Sequence, residues 1–168
     1  ALTSLTTDAG AGGSVAINGG VVNTTGAQSY GEAATLGAAT TLTSSGAGAI
    51  TFGGTLNGAQ TLAVNTSGAT TYTGAVGNSA ALTSLTTDAG AGGSVAINGG
   101  VVNTTGAQSY GEAATLGAAT TLTSTGAGAI TFGNTLNGAQ TLAVNTSGAT
   151  TFTGAVGNSA ALTSLTTD

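Results

Sequence analysis

The sequence of 168 residues has no Lys, Arg, His, Cys, Pro, Met or Trp. Nucleic acids and anionic membrane surfaces are bound through Lys and Arg, so we expect no nucleic-acid partner. Zinc sites of the usual kind need Cys or His ligands. The many Ser and Thr hydroxyls lack the His or Lys base that a hydrolytic site uses. We therefore expect no enzyme, with no catalytic residue, no cofactor and no metal.

Charged residues are scarce, at 3% of the chain, and the net charge is −5. Disordered chains usually combine low hydrophobicity with high net charge. Here 40% of residues are hydrophobic and the mean hydropathy is +0.35, which favours a folded chain. No apolar run approaches the roughly 20 residues that cross a bilayer, so we expect no membrane insertion.

A tandem repeat organises the whole chain, because residues 1–80 recur as 81–160 and residues 161–168 begin a third copy. We interpret these as two copies of one unit and a fragment of a third, taken from a longer array. The two full copies differ at three pairs of positions: Ser45 and Thr125, Gly54 and Asn134, Tyr72 and Phe152.

A weaker inner period lies inside each unit. Two sets of aliphatic residues recur at a spacing of about 20 residues, namely Leu2, Val22, Leu42 and Leu62, and then Leu36, Leu56 and Val76. The segment from Asp8 to Val22 is out of register, which indicates a bulge or a longer corner. The spacing predicts chain turns of about 20 residues, four of them in each 80-residue unit.

Short strands are predicted within this period, because apolar and small polar residues alternate. Ile50 and Phe52, for example, flank Thr51. Frequent glycines rule out a long helix and favour tight corners. The Asn-Gly steps at Asn18 and Asn57 are also typical of antiparallel hairpins. We prefer a stack of turns, because a hairpin array would leave its sheet edges open.

The predicted fold is therefore all-β, a parallel β-helix or β-solenoid. Each turn adds one strand per face, about 4.8 Å above the last. We expect Leu, Val, Ile and the aromatic rings inside, with Thr, Ser and Asn outside. Neighbouring copies of the chain are the expected partners, because open solenoid ends expose unpaired strands.

The run from Ala49 to Gly90 resembles repeats of bacterial filamentous-haemagglutinin-like surface proteins, and it reads AITFGGTLNGAQTLAVNTSGATTYTGAVGNSAALTSLTTDAG. The resemblance extends over the entire chain. It implies a right-handed β-helical shaft in a very large exported adhesin or exoprotein, at the bacterial cell surface or outside the cell. It also implies that any host or surface ligand is bound outside this segment. The residues themselves do not define the handedness.

A few residues are candidates for local sites. Asp8 and Glu32 are separated by a little more than one predicted turn, which would place them on neighbouring turns, either in a calcium site or as solvated carboxylates. Tyr30, Phe52 and Tyr72 would form either a sugar-stacking surface or, as their spacing favours, a buried stack. The glycosylation sequon is matched at Asn23, Asn65, Asn103 and Asn145. Chance is the simpler explanation of these matches, because Asn and Thr are abundant.

Three functions fit these observations. The first is the structural shaft of a repetitive surface adhesin, and the alternative is a self-assembling extracellular fibre or sheath. A Thr-rich ice-binding solenoid ranks third, on the column suggested by Thr41, Thr61 and Thr121. Ala1 and Val21 interrupt that column.

Overall fold

The computed structural model describes residues 2–8, 10, 12–88 and 92–168. These residues form a parallel β-solenoid of about 7 turns with about 22 residues per turn. No helix occurs among them, and every strand pair in the described chain is parallel. The predicted all-β solenoid is therefore confirmed.

Three strands in each turn stack on those of the next turn and build three faces. Strands are numbered in chain order. Face 1 contains β1 (Leu5–Thr7), β4 (Gln28–Tyr30), β7 (Ile50–Phe52), β10 (Ala69–Tyr72), β12 (Ser94–Ile97), β15 (Ala113–Leu116) and β18 (Leu136–Asn137). Face 2 contains β2 (Ser14–Ile17), β5 (Ala33–Leu36), β8 (Leu56–Asn57), β13 (Val101–Thr104), β16 (Thr120–Ser124), β19 (Thr141–Thr146) and β21 (Ser164–Thr167). Face 3 contains β3 (Val21–Thr24), β6 (Thr40–Ser44), β9 (Thr61–Thr66), β11 (Ser84–Thr87), β14 (Gln108–Tyr110), β17 (Ile130–Phe132) and β20 (Thr150–Phe152).

The core is a column of inward side chains that runs along the solenoid axis. In β9, Leu62 and Val64 are buried while Ala63 between them is only half-buried, as the alternation predicts. Burying each such aliphatic side chain contributes about 1.5–3 kcal/mol, so the column supplies most of the stabilisation.

The turn is slightly longer than the inner period of the sequence predicts, at about 22 residues. Val22 pairs with Leu42, as predicted, but Leu42 pairs with Val64. Leu62 lies on the neighbouring strand opposite Thr40, displaced along β9 from its expected partner. A shift by an even number of positions keeps a side chain on the same face of a strand, so the aliphatic columns looked aligned in either register.

The copies are consequently rotated around the axis. One unit has ten strands and one isolated bridge at Val76, which is eleven strand positions, or three turns and two further faces. The expectation of four turns per unit is therefore replaced by three and two-thirds. The repeated sequence Leu-Thr-Thr illustrates the rotation, because it lies on face 1 in β1, on face 3 in β11 and on face 2 in β21.

In the first copy a loop at residues 77–81 interrupts face 2. Val76 and Leu82, on either side of it, bridge to the same strand, at Val102 and Thr104. The Asn57 side chain holds the loop, since its Oδ1 accepts hydrogen bonds from the backbone N–H groups of Ser79 (2.9 Å) and Ala80 (3.2 Å). Asn57 therefore supports a loop instead of forming the Asn-Gly hairpin that was the competing interpretation.

Cysteine pairs provide a test of this register. Thr71 lies directly opposite Ala96, and both side chains point outward between buried neighbours. Parallel neighbours about 4.8 Å apart lie within disulfide range, so we expect the double variant Thr71→Cys/Ala96→Cys to oxidise readily. A mobility shift on a non-reducing gel measures formation of the disulfide. No other thiol interferes, because the chain has no Cys.

The control is Thr71→Cys/Thr86→Cys, because Thr86 points outward on face 3. This pair should stay reduced under the same conditions. Equal oxidation of the two pairs would contradict the rotated arrangement.

Candidate functional site

The outer surface of the described residues has no pocket that would enclose a small molecule. Nor do three or more Asp or Glu side chains converge there into a group suited to hold a metal ion. No helix of the described chain is long and apolar enough to cross a membrane. Candidate functions must therefore be sought in the flat faces, the corners and the polar groups of the interior.

Outward hydroxyl groups form short ladders on the faces. On face 1, Thr6, Ser29, Thr51 and Thr71 lie in successive register, and Ala96 ends the series. The second copy repeats this ladder on face 3, at Thr86, Ser109, Thr131 and Thr151. Each ladder thus has four rungs, after which the rotation of the copies moves it to another face.

The Thr column expected for ice binding is absent from the described residues. Thr41 pairs with Val21 on face 3, whereas Thr61 lies in a different row of the same face. Thr121 lies on face 2. Ala1, the other residue expected to interrupt the column, lies outside the described residues. The expected alignment depended on the shorter predicted turn, and the longer step between β6 and β9 breaks it.

The aromatic rings lie inside the solenoid, which removes the sugar-stacking alternative. Tyr30, Phe52 and Tyr72 are each 0–1% exposed, and their ring centroids are 5.1 and 5.5 Å apart in a nearly parallel stack. Burial raises the pKa of Tyr30 to about 12. The second copy stacks Tyr110, Phe132 and Phe152 on face 3.

Two buried glutamines accept hydrogen bonds from the stacked tyrosines. These buried amides were not predicted, because polar side chains were expected on the outside. Gln28 is 0% exposed, and its Oε1 accepts a hydrogen bond from the Tyr30 hydroxyl at 2.9 Å. Its Nε2 donates to Thr24 Oγ1 at 3.2 Å and to the carbonyl of Thr43 on the next turn at 2.9 Å. Gln108 repeats the arrangement. The signal was available in the sequence, because Gln28 lies two residues before Tyr30 and must share its face.

Buried hydroxyls also line the corner between face 3 and face 1. Thr24 and Ser44 both donate to the carbonyl of Gly26, at 2.5 and 2.8 Å. Thr66 donates to the carbonyl of Gly48 at 2.7 Å. These inward hydroxyls satisfy carbonyls that the strands leave unpaired at the corner, so they fasten each corner to its neighbour.

Two hydroxyls of β10 have no partner although they are buried. Thr70 is inserted between Ile50 and Val95 in an aliphatic row, and its Oγ1 lies near no acceptor. The hydroxyl of Tyr72 is likewise without a partner, and burial raises the pKa of Tyr72 well above its usual value. Phe152 replaces this tyrosine in the second copy.

The acidic pair of the first copy lies at the corner between faces 1 and 2, and that of the second copy lies at the corner between faces 3 and 1. Asp8 follows β1 and is exposed, and Glu32 lies one turn above it and is half-buried. In the second copy Asp88 is half-buried and Glu112 is only 2% exposed. Within the described chain, neither pair is joined by a third carboxylate.

The sequon residues lie in the outward rows of the sheets. Asn23 and Asn65 both pair with Thr43 on face 3, and Asn103 and Asn145 both pair with Thr123 on face 2. All four side chains are exposed or half-buried. The sequence pattern for glycosylation stays a prediction.

Comparison with known proteins found no match: no protein-family model, no curated protein and no solved structure resembles the chain significantly.

The two partnerless hydroxyls give a stability prediction. Tyr72→Phe and Thr70→Val each remove a buried hydroxyl that forms no hydrogen bond, so we expect each variant to raise the free energy of unfolding by about 1 kcal/mol. Denaturant unfolding monitored by circular dichroism measures the change.

Tyr110→Phe is the matched control, because it removes the same atom from a hydroxyl that donates to Gln108 at 2.9 Å. This variant should lose about 1 kcal/mol. If all three variants change stability in the same direction, the assignment of partners is wrong.

Proposed function

We propose that the chain is a length of rigid shaft in a large bacterial surface protein of the filamentous-haemagglutinin-like kind. The observation that carries this proposal is the unbroken pairing across the copy boundary. Strands β9 and β10 of the first copy pair with β11 and β12 of the second in full register. A repeat that joins to the next without a gap extends a rod by any number of copies.

The exterior supports a role as a spacer. Thr, Ser, Asn and Ala dominate the outward rows, and the chain has no cationic side chain. The described surface has no pocket. A ligand-binding site usually needs a concave surface with convergent polar groups. We therefore assign binding of any host or surface ligand to other parts of the same protein, and we assign the shaft to the outside of the bacterial cell.

A self-assembling fibre is the second candidate, since one observation favours it as well. Each face is a stack of parallel strands paired edge to edge, and any strand at the end of such a stack presents unpaired backbone groups. Such an edge is a template for another strand of the same kind. In a fibre the chains would join through these edges, whereas in a shaft the next copy of the same chain covers them.

The short hydroxyl ladders count against the third candidate. An ice-binding face needs one flat array of Thr, and here the first ladder ends at Ala96 on face 1, while the equivalent ladder of the second copy lies on face 3. A measurement of thermal hysteresis that finds activity would restore this candidate.

Length measurements distinguish the shaft from the fibre. At about 4.8 Å per turn and about 22 residues per turn, each added 80-residue copy should lengthen the particle by about 17 Å. We expect arrays of four, eight and twelve copies to give monomeric rods of proportional length by electron microscopy and sedimentation velocity.

The contrary outcome is a particle length that depends on protein concentration instead of copy number, which would establish the fibre. Immunogold labelling with an antibody against the repeat then tests location. Label along surface filaments of intact cells supports the shaft, and label confined to the cell interior excludes it.

A further inference from the structure

Glu112 occupies an unusual position for a carboxyl group. It lies in the corner between β14 and β15 and is 2% exposed. Its Oε2 accepts a hydrogen bond from the Thr87 hydroxyl at 2.5 Å, while its Oε1 is buried and receives no hydrogen bond. A buried carboxylate oxygen without a donor is costly, so the ionised form of Glu112 is poorly accommodated.

The group that faces Glu112 from the turn below is also acidic. Asp88 directly follows Thr87 at the end of β11, and Thr87 accepts a backbone hydrogen bond of 3.2 Å from Gly111, the residue before Glu112. Oδ1 of Asp88 accepts a hydrogen bond of 3.4 Å from the backbone N–H of Thr66, a residue of the first copy. The pair therefore lies at the joint between the two copies.

Gly93 leaves room for the Glu112 side chain. A Cβ added at Gly93 would lie 3.1 Å from the Glu112 Cγ, so a larger residue there would displace the carboxyl. The other titratable groups near the pair are the hydroxyls of Tyr72 and Tyr110, which burial keeps neutral. On the turn above, the corner continues from Gly133 into Asn134, which does not titrate.

No cationic side chain exists to neutralise this site, because the whole chain contains no Lys, Arg or His. Two neighbouring carboxyl groups, one of them buried, cannot both be ionised cheaply, and one of them takes up a proton. We propose that Glu112 holds a proton that it shares with Asp88, so that low pH stabilises the joint between the two copies.

The direction of the pH effect follows from the contacts. Burial raises the pKa of Glu112 above its ordinary 4.5, the Thr87 hydroxyl opposes the rise, and the charge of Asp88 adds to it. A carboxyl group whose pKa is higher in the folded chain than in the unfolded chain stabilises the fold when it is protonated. This stabilisation is complete at a pH below the pKa of the unfolded chain, and it is lost as the pH rises through the pKa of the folded chain. The folded chain should therefore be more stable at pH 4 than at pH 7.

The same pair of residue types recurs in each copy at an identical spacing, as Asp8 and Glu32 in the first and Asp88 and Glu112 in the second. Glu112 has complete turns beneath it, whereas only the first described turn lies below Glu32. In a longer array each interior copy would have the surroundings of Glu112. Acid would then stabilise every joint of the array at once.

Carboxyl ¹³C NMR provides a direct test, since the chain has only five acidic side chains to assign. We expect the Glu112 resonance to titrate above the ordinary glutamate value of 4.5, because burial of the carboxyl raises its pKa. Asp88→Asn should lower the Glu112 midpoint, because a negative charge is removed. Thr87→Val should raise it further, because a hydrogen bond to the carboxylate is lost. A Glu112 midpoint at or below the ordinary glutamate value of 4.5 would refute the proposal.

Thermal unfolding checks the consequence for stability. Tm of the unaltered chain should fall by at least about 3 °C between pH 4 and pH 7. Glu112→Gln imitates the protonated carboxyl, so it should raise Tm at pH 7 and remove much of that fall, while Asp8→Asn should leave the fall in place. If instead millimolar CaCl₂ raises Tm at pH 7 through Glu112, the pair binds a cation and proton sharing is wrong. A flat pH profile would also overturn this inference and would leave the shaft proposal untouched.

Discussion

The parallel pairing of each turn with its two neighbours is the constraint on which the structure depends. Strands of two to six residues are too short to be stable alone, and they persist because the turns above and below satisfy their backbone groups. Parallel stacking puts like residues near like residues along the axis. This arrangement suits Leu, Thr and the aromatic rings, and it suits charges badly, because stacked like charges repel at every step. The scarcity of charge in this chain is thus a consequence of its fold.

The turn of about 22 residues does not divide the 80-residue unit into whole turns, and this mismatch shapes the surface. Each copy begins one face away from the start of the copy before it, so identical sequences such as those of β1, β11 and β21 occupy all three faces. Aromatic stacks and hydroxyl ladders consequently wind around the axis instead of running along it. No face of the described solenoid accumulates a long uniform strip, which is the kind of surface that promotes lateral aggregation of sheets.

The sequence alone was sufficient to predict the short strands, from their period-two alternation, and the solenoid and the buried rings, from the inner spacing of about 20 residues. The turn length was not predictable to the exact residue. Leu42 packs in the interior whether its neighbour is Leu62 or Val64, so hydrophobicity does not separate the two registers. The burial of Gln28 could have been inferred from Tyr30, but that of Glu112 depends on Asp88 and Thr87 of the turn below. Contacts between turns follow from the register, so they could not be predicted before it.

Buried polar groups resolve the ambiguity that the apolar columns leave open. A slip of two positions between β3 and β6 would still bury aliphatic side chains, yet it would take the carbonyl of Thr43 away from Nε2 of Gln28. The slip would also separate Ser44 from the carbonyl of Gly26, so the buried Ser44 hydroxyl would lose its acceptor. Each lost bond of this kind costs about 1–3 kcal/mol, which is comparable to burying one aliphatic side chain. We infer that the glutamines and corner hydroxyls contribute more to the uniqueness of the register than to its stability.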